Sequence, residues 1–234
     1  MALCSVPIML NAQHKANDTL TLNPKQQAIA GIAAVTAKGD LSTLKTALSA
    51  GLEAGLTISQ IKEVIVHVYA YAGFPRSIRG LQTFMTVLDE RKAKGISDVM
   101  GVEASPINSE DSKYERGKRI LERLTGVPET GPKTGYAAFA PQIEIFLKEH
   151  LFADIFERDI LTFAERELVT ISVLSSIGGV EPMLRSHLGI CLNVGLTQTQ
   201  LQQFIGIIKQ LIGKKEAHSA KEMLMDVLRA KQIK

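Results

Sequence analysis

Apolar residues recur along most of this chain at spacings of three and four. Ile61, Val64, Ile65, Val68 and Ala72 form one such stripe, and Leu184, Leu188 and Leu192 continue another. This is the helical period, in which residues three or four apart share a face. No segment reads convincingly as a strand. The punctuation between stripes is helical too. Gly195 can take the left-handed conformation that ends a helix. Thr197 with Gln200, and Thr57 with Gln60, have the spacing of capping boxes that start the next one. Lys92 to Asp111 is rich in Gly, Ser, Pro and charge and reads as a linker or long surface loop. Ser112 and Glu115 then start a new helix. Thr125 to Pro141 is again rich in Gly and Pro, and Gln142 to Phe156 predicts a helix carrying several Phe.

The pattern repeats itself at an offset of 140. Gly55-Leu56-Thr57 recurs as Gly195-Leu196-Thr197. In the same register Gly39 meets Gly179, Leu48 meets Leu188, Ile65 meets Ile205 and Gly73 meets Gly213. Chance rarely keeps one register over such a span, so the chain predicts an internal duplication. The expected architecture is all-α, with two tandem pseudo-symmetric helical units at 15–95 and 111–234 joined by a linker at 96–110. Residues 1–14 stand apart. Their apolar run reads as the remnant of a secretory signal peptide or as a frayed apolar N-terminus. The first reading implies an exported or periplasmic protein, the second a cytoplasmic one.

Composition narrows the chemistry. The formal net charge is +3 with the charges scattered, and no run of Lys and Arg interleaves with aromatics. Nucleic acid is therefore not an expected partner. No stretch reaches the ~20 apolar residues of a membrane span. Cys4 and Cys191 are the only cysteines, and no Cys-x-x-Cys exists. No HxxxH or HExxH is present, so neither a metal site nor a cofactor is expected.

The two copies are degenerate in a complementary way. At the 140 offset Glu167 faces Gln27 and His187 faces Ala47, whereas His67 faces Ile207 and Tyr69 faces Lys209. If the copies pack as two subunits of a dimer would, Glu167 and His187 from one half can share a pocket with His67 from the other. Each has a plainer reading. Glu167 can serve the helix macrodipole, His187 can be a satisfied core histidine, and His67 a packing residue. Arg185 is either solvated or a bidentate carboxylate binder. Cys191, on the apolar face with His187, is a packing residue or a substrate contact.

Several segments resemble the carboxymuconolactone decarboxylase family of the alkylhydroperoxidase D-like superfamily. Ala164-Glu165-Arg166-Glu167-Leu168-Val169-Thr170 is similar to that family's R-E-L-V-T-L helix start. Leu184-Arg185-Ser186-His187, followed by Gly195-Leu196-Thr197, is similar to its E-L-x-x-H…G-L-T segment. Glu63 to His67, followed by Tyr71-Ala72-Gly73-Phe74-Pro75, is similar to its E-V-I-x-H…Y-A-G-x-P segment. The resemblance covers roughly residues 20–230. It implies a cofactor-free lyase acting on a lactone carboxylic acid, with Glu167, His187 and His67 catalytic and Arg185, Tyr71 and Cys191 lining the substrate site. It also implies a homo-oligomer, most simply a trimer of fused double units. The sister branch of thiol peroxidases needs a Cys-x-x-Cys ahead of the histidine, but Val180 and Met183 fill those positions here. A peroxide or disulfide oxidoreductase and a non-catalytic oligomeric binding protein are the alternative readings.

Overall fold

The computed structural model describes residues 21–232, so the N-terminal reading of 1–14 lies outside the described residues. Within them the regular structure is helical. Helix α1 (Pro24–Lys38) starts at Asn23, whose side chain accepts from Gln26 N while the Gln26 side chain reaches back, and ends at Gly39 with φ 80°. Helix α2 (Leu41–Glu53) is capped by Asp40. Helix α3 (Ile58–Ala93) starts at the expected Thr57–Gln60 box and is bent at Gly73, whose φ of 80° and ψ of 163° leave the helical region. Such a φ is open to glycine at little cost. Pro75, just beyond, could not have continued a regular helix unbroken.

The second copy repeats this plan. Helices α7 (Phe163–Ile177), α8 (Glu181–Asn193), α9 (Gln198–Leu211) and α10 (Lys214–Gln232) follow one another. Helices α2 and α8 have the same length, and Leu48 and Leu188 are each the eighth residue of theirs, both fully buried. The Thr197–Gln200 box opens α9. Gly213, counterpart of the Gly73 bend, separates α9 from α10. The 140 offset fails in one place. The N-caps of α1 and α7 are Asn23 and Thr162, 139 apart. The link from α7 to α8 holds three residues, Gly178 to Val180, where Gly39 and Asp40 suffice in the first copy. Glu167 lies five residues past its cap, and so does Ala28 past Asn23. The counterpart of Glu167 is therefore Ala28, not the Gln27 of the gapless alignment.

Helices α1 and α7 pack on one another at the centre, each also against its own copy's later helices. From Ile29 to Ala37 and from Arg166 to Ser176 every residue is buried. Burying a Leu or Ile side chain of this kind contributes about 1.5–3 kcal/mol. Two hydrogen bonds stitch the copies near the chain start: Leu22 N donates to Gln203 Oε1 (2.7 Å), and Gln200 Nε2 donates to Thr21 O (3.2 Å).

The linker region is pinned to the molecule. Val99 O and Met100 O accept from Ile58 N and Ser59 N at 2.9 and 2.8 Å. They thereby satisfy amide groups that a helix N-terminus leaves without partners. Beyond it come α4 (Lys113–Thr125), capped by Ser112 as expected, and two short helices, α5 (Gly135–Phe139) and α6 (Pro141–Phe146). The helix expected over 142–156 changes character at Leu147. Residues Leu147–Phe156 form a π-helix, a rare form that is frequent at functional sites. Helix α4 lies against it so closely that a Cβ at Gly117 would meet Lys148 O at 1.9 Å.

Candidate functional site

The site forms where α7, α8 and the first half of α3 meet. Glu167 is fully buried on α7, and its Oε2 lies 2.8 Å from His187 Nδ1 on α8. A carboxylate only accepts, so Nδ1 carries the hydrogen. The other ring nitrogen, Nε2, engages no group among the described residues. The His187 side chain is 14% exposed, so this nitrogen is available to a ligand. Glu167 Oε1 is buried without a hydrogen-bond partner.

Helix α3 supplies the second wall. The Tyr71 ring stands edge-on to His187 at 6.0 Å and stacks on His67 at 5.7 Å. It lies between the two histidines. Burial pushes the Tyr71 phenol well above its usual range, and the charge of Glu167 adds to the effect. His67 is fully buried, with the edge of its ring system against Phe156 of the π-helix (5.0 Å). Its Nδ1 lies 3.3 Å from Arg166 Nη1, and its Nε2 lies 3.0 Å from Thr170 Oγ1. Burial, then the charges of Arg166 and His187, hold it well below the usual histidine range, so it stays neutral.

Arg166 is wholly buried and would be costly without compensation. Glu63 accepts from its Nη2 at 2.8 Å and from the Arg158 fork at 2.9–3.1 Å, while Arg158 O accepts from Arg166 Nη2 at 2.5 Å. Arg158, Glu63, Arg166 and Thr170 belong to the site's support, and sequence reasoning assigned none of them a role. The available signal was spacing: Glu63 with His67, and Arg166 with Thr170, sit one turn apart on helices that face each other.

The other expected residues divide. Cys191 lies one turn beyond His187 on α8 and is fully buried; burial and the nearby Glu167 charge push its thiol well up. Such a thiol is a poor nucleophile. Arg185 is exposed and two residues from His187, about 200° around the helix, so it points away from the pair within this chain. Arg76, absent from the expected set, lines a cavity of about 480 Å³ with Tyr71 and Lys38. It has no ion-pair partner among the described residues, whereas Lys38 pairs with Glu216 at 3.5 Å. Among the described residues no cluster of three His, Cys, Asp or Glu side chains could hold a metal ion, and no helix is long and apolar enough to cross a membrane.

The symmetry-related position in the first copy holds a cavity of about 380 Å³ lined by Ala28, Ala47, Ile207 and Leu211, among others. These are the counterparts of Glu167, His187, His67 and Tyr71, and none can exchange a proton. The acid–base groups are confined to one of the two related places.

The chain is 25% identical over 122 residues to a 4-carboxymuconolactone decarboxylase from Acinetobacter baylyi (strain ATCC 33305 / BD413 / ADP1). That match covers 52% of this chain and 90% of the relative, so the relative's length is close to one of the two units. The model of the carboxymuconolactone decarboxylase family matches twice, over residues 11–84 and 141–223, and takes in both walls of the site. With two family segments on two related helical units, this chain belongs to the carboxymuconolactone decarboxylase family.

Proposed function

We propose that the protein is a cofactor-free decarboxylase of a lactone carboxylic acid, with one working site per chain. The observation that carries this reading is the buried Glu167–His187 pair, with Nδ1 held and Nε2 free. The bond from the ring carbon to its carboxylate breaks, CO₂ leaves, and the electron pair passes into the lactone carbonyl as a dienolate. A protonated His187 then delivers its Nε2 hydrogen to the carbon, and the imidazole regains a proton from water. Glu167 fixes the tautomer and stabilises the imidazolium, the usual role of a carboxylate behind a general-acid histidine. His67 has both nitrogens engaged and supports the site rather than donating to substrate. Arg185 faces away, so the carboxylate is assigned to Arg76 in the cavity beside Tyr71.

Release of CO₂ from 4-carboxymuconolactone tests the reading. His187→Ala and Glu167→Gln should each lower kcat by about 10²–10⁴, while Ala28→Gln, at the related position, changes little. Arg76→Gln should raise KM roughly ten-fold, the loss of a charged hydrogen bond at an exposed site, and leave kcat nearly unchanged. No CO₂ from the wild-type protein, or equal effects of the Ala28 and Glu167 substitutions, would rule the reading out.

A further inference from the structure

We infer that Tyr71 is the site's hydrogen-bond donor to developing negative charge on the substrate, and that Arg166, His67 and Thr170 form a directional chain that commits it to donate. The inference rests on the acid–base reading of Glu167 and His187, and it assigns a second group that touches substrate.

The direction of the chain follows from what each group can do. A guanidinium has donors and no acceptor. Arg166 Nη1, 3.3 Å from His67 Nδ1, must therefore donate, and Nδ1 must accept. The His67 hydrogen is then on Nε2, which donates to Thr170 Oγ1 at 3.0 Å. Thr170 has a single hydrogen and two acceptors in reach, Arg166 O at 3.0 Å and Tyr71 Oη at 3.3 Å. Given to Tyr71, it leaves the phenol's own hydrogen for whatever occupies the cavity that Tyr71 lines with Arg76. Each donor in such a series strengthens the next.

The other arrangement shows why a ligand selects this one. With the Thr170 hydrogen on Arg166 O, the phenol hydrogen falls back on Thr170 Oγ1. An oxyanion beside His187 accepts more strongly than a neutral hydroxyl, so the phenol turns to it and Thr170 follows. The chain runs from the buried Arg166–Glu63 ion pair to the ligand. No proton is transferred along it, because a phenol raised by burial stays protonated and acts by hydrogen bonding alone. The decarboxylation is served directly: the electron pair that remains when CO₂ departs lies on the lactone carbonyl oxygen. A donor fixed there before the reaction lowers the barrier.

Two readouts separate this inference from the decarboxylase reading. The first is binding of 4-nitrophenolate, a planar oxyanion seen by its absorbance, which needs no turnover. Wild-type protein should lower the pKa of bound 4-nitrophenol, and Tyr71→Phe should abolish that shift. Thr170→Val should shrink it, Thr170→Ser should restore it, and His67→Gln should fall between. The second is kcat for CO₂ release, expected to fall about 10²–10³-fold in Tyr71→Phe and roughly five-fold in Thr170→Val, with unaltered helical circular dichroism. No nitrophenolate binding by the wild type, a Tyr71→Phe protein that keeps the shift, or equal losses in Thr170→Ser and Thr170→Val would overturn the inference. Absence of CO₂ release with the nitrophenolate series intact would sink the decarboxylase reading alone.

Discussion

Glu167 illustrates how a single buried side chain sets the terms for its neighbours. Its one partnered oxygen is on His187 and the other has none. Removing His187 leaves the carboxylate buried and uncompensated, which costs about 3–5 kcal/mol, whereas removing both ends of such a pair costs much less. His187→Ala should therefore lower the urea midpoint markedly, and Glu167→Gln/His187→Ala should recover most of it. Additive losses in that double variant would show that the two side chains do not form a pair in solution. Cys191 gives a complementary test. Its buried thiol, with Val180 and Met183 where a peroxidase has its two cysteines, should support no peroxide turnover with a dithiol reductant. Robust turnover abolished by Cys191→Ser would contradict that. At this scale Glu167 and His187 stood out in the sequence because the other copy lacks both. The support of His67 was not: its partners Arg166 and Thr170 lie 99 and 103 residues away, and only packing shows which nitrogen each meets.

Elements were legible where caps and stripes agree, as in the Thr57 and Thr197 boxes. Reading failed where one residue was inserted without disturbing either helix. The extra position between Gly178 and Val180 leaves α8 and α9 in register and shifts α7 by one, exchanging Gln27 for Ala28 as the counterpart of Glu167. The π-helix Leu147–Phe156 was also invisible, since its apolar residues satisfy a helical period either way. Its packing makes two predictions. Gly117→Ala would press a methyl group into Lys148 O and should destabilise the fold by about 1–3 kcal/mol or more, read as a fall in the urea midpoint. Next to it, buried Lys148 is joined by Glu144, Glu129 and Tyr114. Burial pushes the Glu144 carboxyl up, but Lys133, Lys148 and Tyr114 outweigh it and hold it at about 2, below the ordinary 4.5. A carboxyl depressed in the folded state stabilises above its unfolded pKa, and that stability is lost as pH falls from about 4.5 toward 2. Acid unfolding in that window should be blunted in Glu144→Gln; an unchanged acid limb would show that the cluster does not contribute.

The whole molecule is a pseudo-dimer in which the buried Glu167–His187 pair occupies one of two related places and Ala28 and Ala47 the other. Duplication was readable from the offset and the all-α architecture from the helical period, while the place of Ala28, rather than Gln27, in the related cavity needed coordinates. The outer surface has diverged too. On the second half of α3, Phe74, Ile78 and Met85 are exposed along one face, at 64%, 49% and 65%; on α10 the first two are replaced by Lys214 and His218, while Met225 stays apolar and exposed. Apolar side chains exposed along one helix favour a protein neighbour. We expect a homo-oligomer, most simply a trimer, and light scattering at micromolar concentration checks it; a monomer would contradict the expectation. The central claim, however, is one acid–base pair per chain, and it is tested most directly by the kcat of Glu167→Gln for CO₂ release from 4-carboxymuconolactone, measured beside Ala28→Gln at the related position. The account predicts a loss of about 10²–10⁴ in the first and wild-type turnover in the second. Comparable losses in both, or none in Glu167→Gln, would contradict it.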